Sequence, residues 1–150
     1  MTQPESDPPC GLLRRFAAIC YDLFLLAAVL FAFTWIMLLA RGGAAIAPET
    51  AWYQAALVAI SVLFYGWFWT HRGQTLGMRA WKIRVVRSDG APLTWRDALQ
   101  RYLAAWLSAL PAGLGYLWGL FDADQLCWHD RLSKTCLRVE RVRRDRISEF

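Results

Sequence analysis

Residues 11–40 read GLLRRFAAICYDLFLLAAVLFAFTWIMLLA, and this stretch decides the fold. It opens on Arg14 and Arg15 and then runs to Arg41 with one charge inside it, Asp22. An α-helix rises about 1.5 Å per residue, so about 20 apolar residues cross a hydrocarbon core of about 30 Å. The run is long enough to span. A carboxylate inside a span costs about 3 kcal/mol on insertion scales, so Asp22 is expected to face protein, water or a counter-charge. The run is read as retained rather than as a cleaved leader. It far exceeds an apolar signal core of about 7–15 residues, Asp22 interrupts it, and Pro48 follows the would-be cleavage site at Ala45-Ile46-Ala47.

At 150 residues the chain is one domain by length, and 57% of it is hydrophobic, with nine Trp. Those residues gather into three blocks, which indicates an integral membrane protein. The net charge of +5 sits beside the apolar blocks. There, positive-inside orientation and anionic headgroups account for it, and no nucleic-acid motif accompanies it. The expected partners are an anionic bilayer and a second copy or another membrane protein, not nucleic acid. Cys10, Cys20, Cys127 and Cys136 form no CxxC pair and are expected as free thiols. Cys127, His129, Asp130 and Cys136 lack a second paired ligand spacing, so no metal site is assigned. No phosphate-cradling glycine loop or nucleophile–base motif is present, so no catalytic residue, cofactor or enzymatic activity is assigned.

Residues 1–11 hold three prolines and two acids with no apolar periodicity, which is the pattern of a disordered tail. A helix over 12–40 follows, then a Gly- and Pro-containing turn, then a helix over 51–70 with Trp52 and Tyr53 at one end and Trp67 and Trp69 at the other. These two form a transmembrane hairpin. The turn between them carries one basic residue, Arg41, whereas the loop over 71–97 carries Arg72, Arg79, Lys82, Arg84, Arg87 and Arg96. The N-terminus and that loop are therefore expected in the cytoplasm. Residues 82–87 and 134–140 both alternate polar and apolar side chains, and two such short strands can pair as a miniature sheet. Thr94 with Asp97 forms a capping-box-like helix start.

The third apolar segment, 98–121, is broken at Pro111-Ala112-Gly113-Leu114-Gly115. As a span it would carry the basic residues after Arg131, including the tail 141–150, outside, against the positive-inside rule, and would forbid the strand pairing. As a re-entrant hairpin it removes both conflicts, and that topology is favoured. The fold class expected is thus an all-α membrane protein with two transmembrane helices, a third segment that spans or re-enters, and a small cytoplasmic two-strand element.

Arg14 or Arg15 ahead of Tyr21-Asp22, the segment Trp128-His129-Asp130-Arg131-Leu132-Ser133-Lys134-Thr135, and the run Gly73 to Arg79 followed by Ile83 to Val86 and Asp89-Gly90 resemble the bacterial RDD family. The name refers to one arginine and two aspartates. The likeness covers residues 12–140 and implies a bacterial inner-membrane location, multi-pass. The family commonly has Gly where this chain has Lys134, and Lys where it has Met78. Asp122 and Asp130 are both open as the second aspartate. Some members are linked to cation/proton antiport or solute transport.

The polar residues marked out are Arg14, Arg15, Asp22, Arg101, Asp122, His129, Asp130 and Thr135. Asp22 follows Arg15 by two helical turns, about 10 Å along the axis, and Arg101 is its better-placed partner. The first reading is a polar staple between helices in an interaction or accessory module. The alternative is an ion or proton site of a transporter component. Asp122, Asp124, His129 and Asp130 read first as a solvated surface or a helix cap, with His129 as a pH-responsive group the second reading.

Overall fold

The computed structural model describes residues 10–110, 118, 122 and 126–140. Among them, α1 covers Leu12–Ala40, α2 Ala51–Arg72, α3 Leu76–Ala80, β1 Ile83–Arg87, α4 Trp95–Ala109, α5 Trp128–Leu132 and β2 Thr135–Val139. The hairpin α1–α2 lies where the apolar periodicity puts it. At 29 and 22 residues its helices run about 43 and 33 Å. Gly73 ends α2 in the left-handed region at φ 66°, with its N–H returned to Trp69 O. Thr94 and Asp97 form the capping box that starts α4.

The strands pair antiparallel, Val85 opposite Leu137 at the centre and Ile83 opposite Val139. A two-stranded sheet leaves two open edges, and both are closed by chain. Val85 N–H donates to Gly73 O at 2.7 Å on one edge, and Cys10 N–H donates to Leu137 O at 3.2 Å on the other. This corrects the expected tail at Cys10, which is buried against the sheet. Residues 1–9 and the basic tail lie outside the described residues, as does the Pro111–Gly115 break of the third apolar segment.

The two strand units share one build. Each has a five-residue helix, a two-residue turn ending in a left-handed lysine, and a five-residue strand, offset by a constant 52 residues (76 to 128, 82 to 134, 83 to 135). Their antiparallel register relates them by a local two-fold through Val85 and Leu137. The short helices α3 and α5 are additions to the sequence expectation, which read 71–97 as a loop and assigned no helix before β2.

The packed core gathers at one end of the hairpin, from Ala18 of α1, Trp69 of α2, Met78 of α3, Ile83, Val85 and Leu137 of the sheet, and Ala98 and Tyr102 of α4. Against α2, Trp95 lies over Gly66, where an added Cβ would come within 2.3 Å of the indole, and Tyr102 Oη meets Ser61 Oγ at 2.7 Å. Toward the other end, α1 and α2 are joined by the Thr34–Tyr53 hydroxyl pair at 2.7 Å, and large apolar side chains such as Phe24, Phe31 and Ile36 stand exposed.

Lys134 sits at φ 51°, a backbone region that costs an L-residue about 1–2 kcal/mol and glycine nothing. Replacing it by glycine, the residue the resemblance has there, is expected to raise stability by about 0.5–1 kcal/mol after the entropy of the unfolded glycine is set against it. Thermal unfolding of the detergent-solubilised protein measures it. A lower midpoint for Lys134→Gly would show that the lysine side chain contributes more than its backbone loses.

Candidate functional site

Asp130 lies at the third position of α5, and its carboxylate closes that helix's N-terminus by accepting from Cys127 N–H at 3.1 Å. The same carboxylate meets two guanidiniums. Arg101 Nη1 of α4 donates to Oδ1 at 2.7 Å, and Arg15 Nη1 of α1 donates to Oδ2. Arg101 also donates to Thr135 Oγ1 at 2.6 Å, which exchanges a hydrogen bond with Ser133 Oγ at 2.7 Å. Arg15 also donates to Cys127 Sγ at 3.1 Å, and the Arg101 guanidinium lies 5.5 Å from the Trp69 ring centre. Arg15, Arg101 and Asp130 are each 1–2% exposed. A charge so placed needs its partners, since the desolvation cost of a lone ion amounts to several kcal/mol.

His129 is buried beside this node, with Nε2 3.5 Å from Asp130 Oδ1. Burial first, and then the Arg101 charge, push its pKa down to about 3. It stays neutral across physiological pH. The solvated surface expected here is corrected by this burial, and the second reading, a pH-responsive His129, falls as well, because two arginines already occupy the carboxylate that would have stabilised an imidazolium. Burial alone would raise the Asp130 carboxyl, but the Arg101 and Arg15 charges override it and hold it well below the usual carboxylate range.

Asp22 does not join the node. Its Oδ2 accepts from Thr75 Oγ1, the N-cap hydroxyl of α3, and its Oδ1 accepts from Gly77 N–H at 2.8 Å. The expected Asp22–arginine staple is thus replaced by a carboxylate on the N-terminus of a short helix, where unpaired backbone N–H groups favour negative charge. Gly77 owes its identity to this approach rather than to a turn. An added Cβ would lie 2.4 Å from Ala18 O and 2.8 Å from Asp22 Oδ1.

The other marked residues divide cleanly. Arg15 is the buried arginine and Arg14 is exposed. Asp130 is the aspartate held by arginines, whereas Asp122 accepts from Leu126 N–H at 2.9 Å and pairs with Arg131 of α5, whose side chain is 55% exposed. Thr135 belongs to the node. Sequence reading missed Thr75, Gly77 and Cys127 as partners. The N-cap position of Thr75, three residues before a backbone N–H it accepts, was the available signal for the first.

Ligand atoms of Cys127, His129 and Asp130 lie within 4.8 Å of one another. A divalent cation there would displace donors from both carboxylate oxygens and sit against two guanidiniums. The group therefore fits arginine, not a metal, and Cys136 is not part of it.

The RDD family profile matches residues 9–134. The chain belongs to the RDD family. No curated protein and no solved structure gives a match. Of the residues that carried the resemblance, Arg15 and Asp130 form a bonded pair in this RDD protein, and Asp22 acts on α3.

Asp130→Asn leaves two buried guanidiniums short of one charge, and a loss of about 3–5 kcal/mol is expected. Thermal unfolding or the surviving folded fraction in membranes reads it, and a wild-type-like midpoint would refute the node as a stabilising element. A second expectation concerns pH. Between about pH 6.5 and 4.5 the unfolded chain protonates His129 and the folded chain does not, so unfolding takes up a proton and stability falls on acidification, by up to about 1.4 kcal/mol per unit. His129→Gln is expected to flatten that part of the profile.

Proposed function

We propose that this RDD protein is a multi-pass protein of a bacterial cytoplasmic membrane and works as an interaction or accessory module. In this reading α1 and α2 span, and the N-terminus, the sheet and α3 and α5 lie on the cytoplasmic side. Two helices are long and apolar enough to cross a membrane. In their most apolar windows 0% and 11% of residues are buried, which is not the pattern of core helices in a water-soluble fold. Arg15 and Asp22 tie α1 into the fold, which argues against a cleaved leader.

The observation that carries the module reading is how the buried polar groups are used. Asp130 is filled by Arg15, Arg101 and Cys127 N–H, and Asp22 by Thr75 and Gly77. These groups hold helices and strands to one another. Partners would meet the exposed faces of α1 and α2. The re-entrant reading of the third apolar segment is supported by what flanks it, since Arg101 near its start bonds Asp130 beyond its end and β1 pairs with β2.

One observation favours the transporter reading. Asp22 bonds no cationic side chain among the described residues. A chain with two spanning helices would need an oligomer or a partner to enclose a path. Asp22→Asn separates the readings. As a module, the protein is expected to lose abundance or thermal stability, since the neutral amide no longer complements the α3 N-terminus. Normal abundance together with lost proton-coupled cation flux in reconstituted vesicles would overturn the module reading. Paired reporter fusions at Phe150 test the topology, with a cytoplasmic signal expected and an external one excluding re-entry.

A further inference from the structure

The α3–β1 turn holds a feature that the buried node does not use. Lys82 adopts φ 52°, where glycine would be at ease, and its backbone is pinned on both sides. Its N–H donates to Arg79 O at 3.2 Å and its carbonyl accepts from Glu140 N–H at 2.8 Å. The side chain stands at a cleft of about 350 Å³ lined by Arg14, Ala80, Trp81, Lys82, Val139 and Glu140. Arg14 and Lys82 are exposed and carry no ion pair among the described residues. Glu140, the one acid in the lining, accepts from Gln74 Nε2 at 3.1 Å. A larger cleft of about 580 Å³ is lined by Arg87, Asp89 and Asp97, whose charges pair with one another, and also by Arg96 and Lys134, but it has no indole in its wall. The smaller cleft leaves two cations for a ligand.

Its surroundings say which ligand. Leu13 is 87% exposed, and Phe16, Leu76 and Trp81 are 41–45% exposed. Leu13 precedes Arg14 on α1 and Phe16 follows it by two residues, Leu76 opens α3, and Trp81 is in the cleft itself. Unpaired cations beside exposed aliphatic side chains and an indole match the two parts of a phospholipid at the interface, its phosphate and the first carbons of its chains. A free phosphate has no use for the apolar part. We propose that the Arg14–Trp81–Lys82 cleft binds the headgroup of an anionic phospholipid. Arg14 and Lys82 hold the phosphate, Trp81 sits at the level of the glycerol, and Leu13, Phe16 and Leu76 meet the chains. The site rests on the membrane reading above, and it gives the left-handed lysine a purpose that glycine could not serve.

The full chain is reconstituted in phosphatidylcholine vesicles doped with chain-brominated phosphatidylglycerol or chain-brominated phosphatidylcholine, and tryptophan quenching is measured. The Trp81 part is taken as the difference from Trp81→Phe. Stronger Trp81 quenching by the anionic lipid is expected, with the preference falling about fivefold in Arg14→Gln and in Lys82→Gln and unchanged in Lys134→Gln, outside the cleft. Equal quenching by the two lipids would overturn the headgroup site while leaving the membrane reading intact. A preference that survives both cleft variants would overturn it in favour of diffuse surface charge. Abolition of the preference by soluble glycerol phosphate would assign the cleft to free phosphate and overturn the lipid. Absence of quenching of any tryptophan by either brominated lipid would remove the membrane reading itself.

Discussion

The carboxylate of Asp130 lies between guanidiniums from α1 and α4 while closing the N-terminus of α5. Three elements far apart in sequence therefore depend on one group, and none of the three ions can be left alone at 1–2% exposure without a large desolvation cost. The sheet is secured in the same step, because Arg101 also bonds Thr135 at the first residue of β2. Cys127 and Thr135 bracket α5 and its turn, so the arginines fix both ends of a helix too short to form by itself.

The same logic, with the signs reversed, holds the other strand unit. Arg15 and Asp22 are two turns apart on α1, near enough in azimuth to face one side. Asp22 supplies negative charge to the N-terminus of α3, which has no acid of its own in its first turn. Arg15 supplies positive charge to α5, whose first turn already contains Asp130. Each short helix receives from α1 the charge it lacks. The α1 helix is thus a two-site ruler for a pair of related units, and its spacing constrains their separation across the local two-fold.

The hairpin helices, the paired strands and the Thr94 start were legible because periodicity and capping chemistry are written in consecutive side chains. The Arg101–Asp130 bond was half legible: both residues stood out, but Arg101 was assigned to Asp22. The true partners of Asp22 are a hydroxyl and a backbone N–H, and a backbone donor has no side-chain signature. The role of Gly77 was not legible, because nothing local signals the approach of Ala18 O from a helix 59 positions earlier. The strand-unit repeat was hidden for a similar reason. Across the 52-residue offset only Arg79/Arg131 and Lys82/Lys134 are identical from 75 to 87, so the likeness lies in caps, turn and register rather than in residue type. His129 offered a switch as a second reading because its ordinary pKa lies near neutrality. Burial among arginines, which only the tertiary structure reveals, removes that property.

Concentrating the packed core at one end has a physical consequence for the rest of the hairpin. Beyond Ala18 and Trp69 the helices α1 and α2 contribute little to the core, and the Thr34–Tyr53 pair joins them near the far end. In water such helices would collapse on one another or aggregate, since exposed leucine and tryptophan line both. In a bilayer no hydrophobic force drives them together, because lipid chains solvate them as well as another helix would. The packed core and the polar node at that end can then set the geometry together, and the apolar faces remain available to lipid or to a partner without loss of fold. The loose hairpin and the tightly bonded base thus form one design, in which polar groups do the work that apolar burial cannot do inside a membrane.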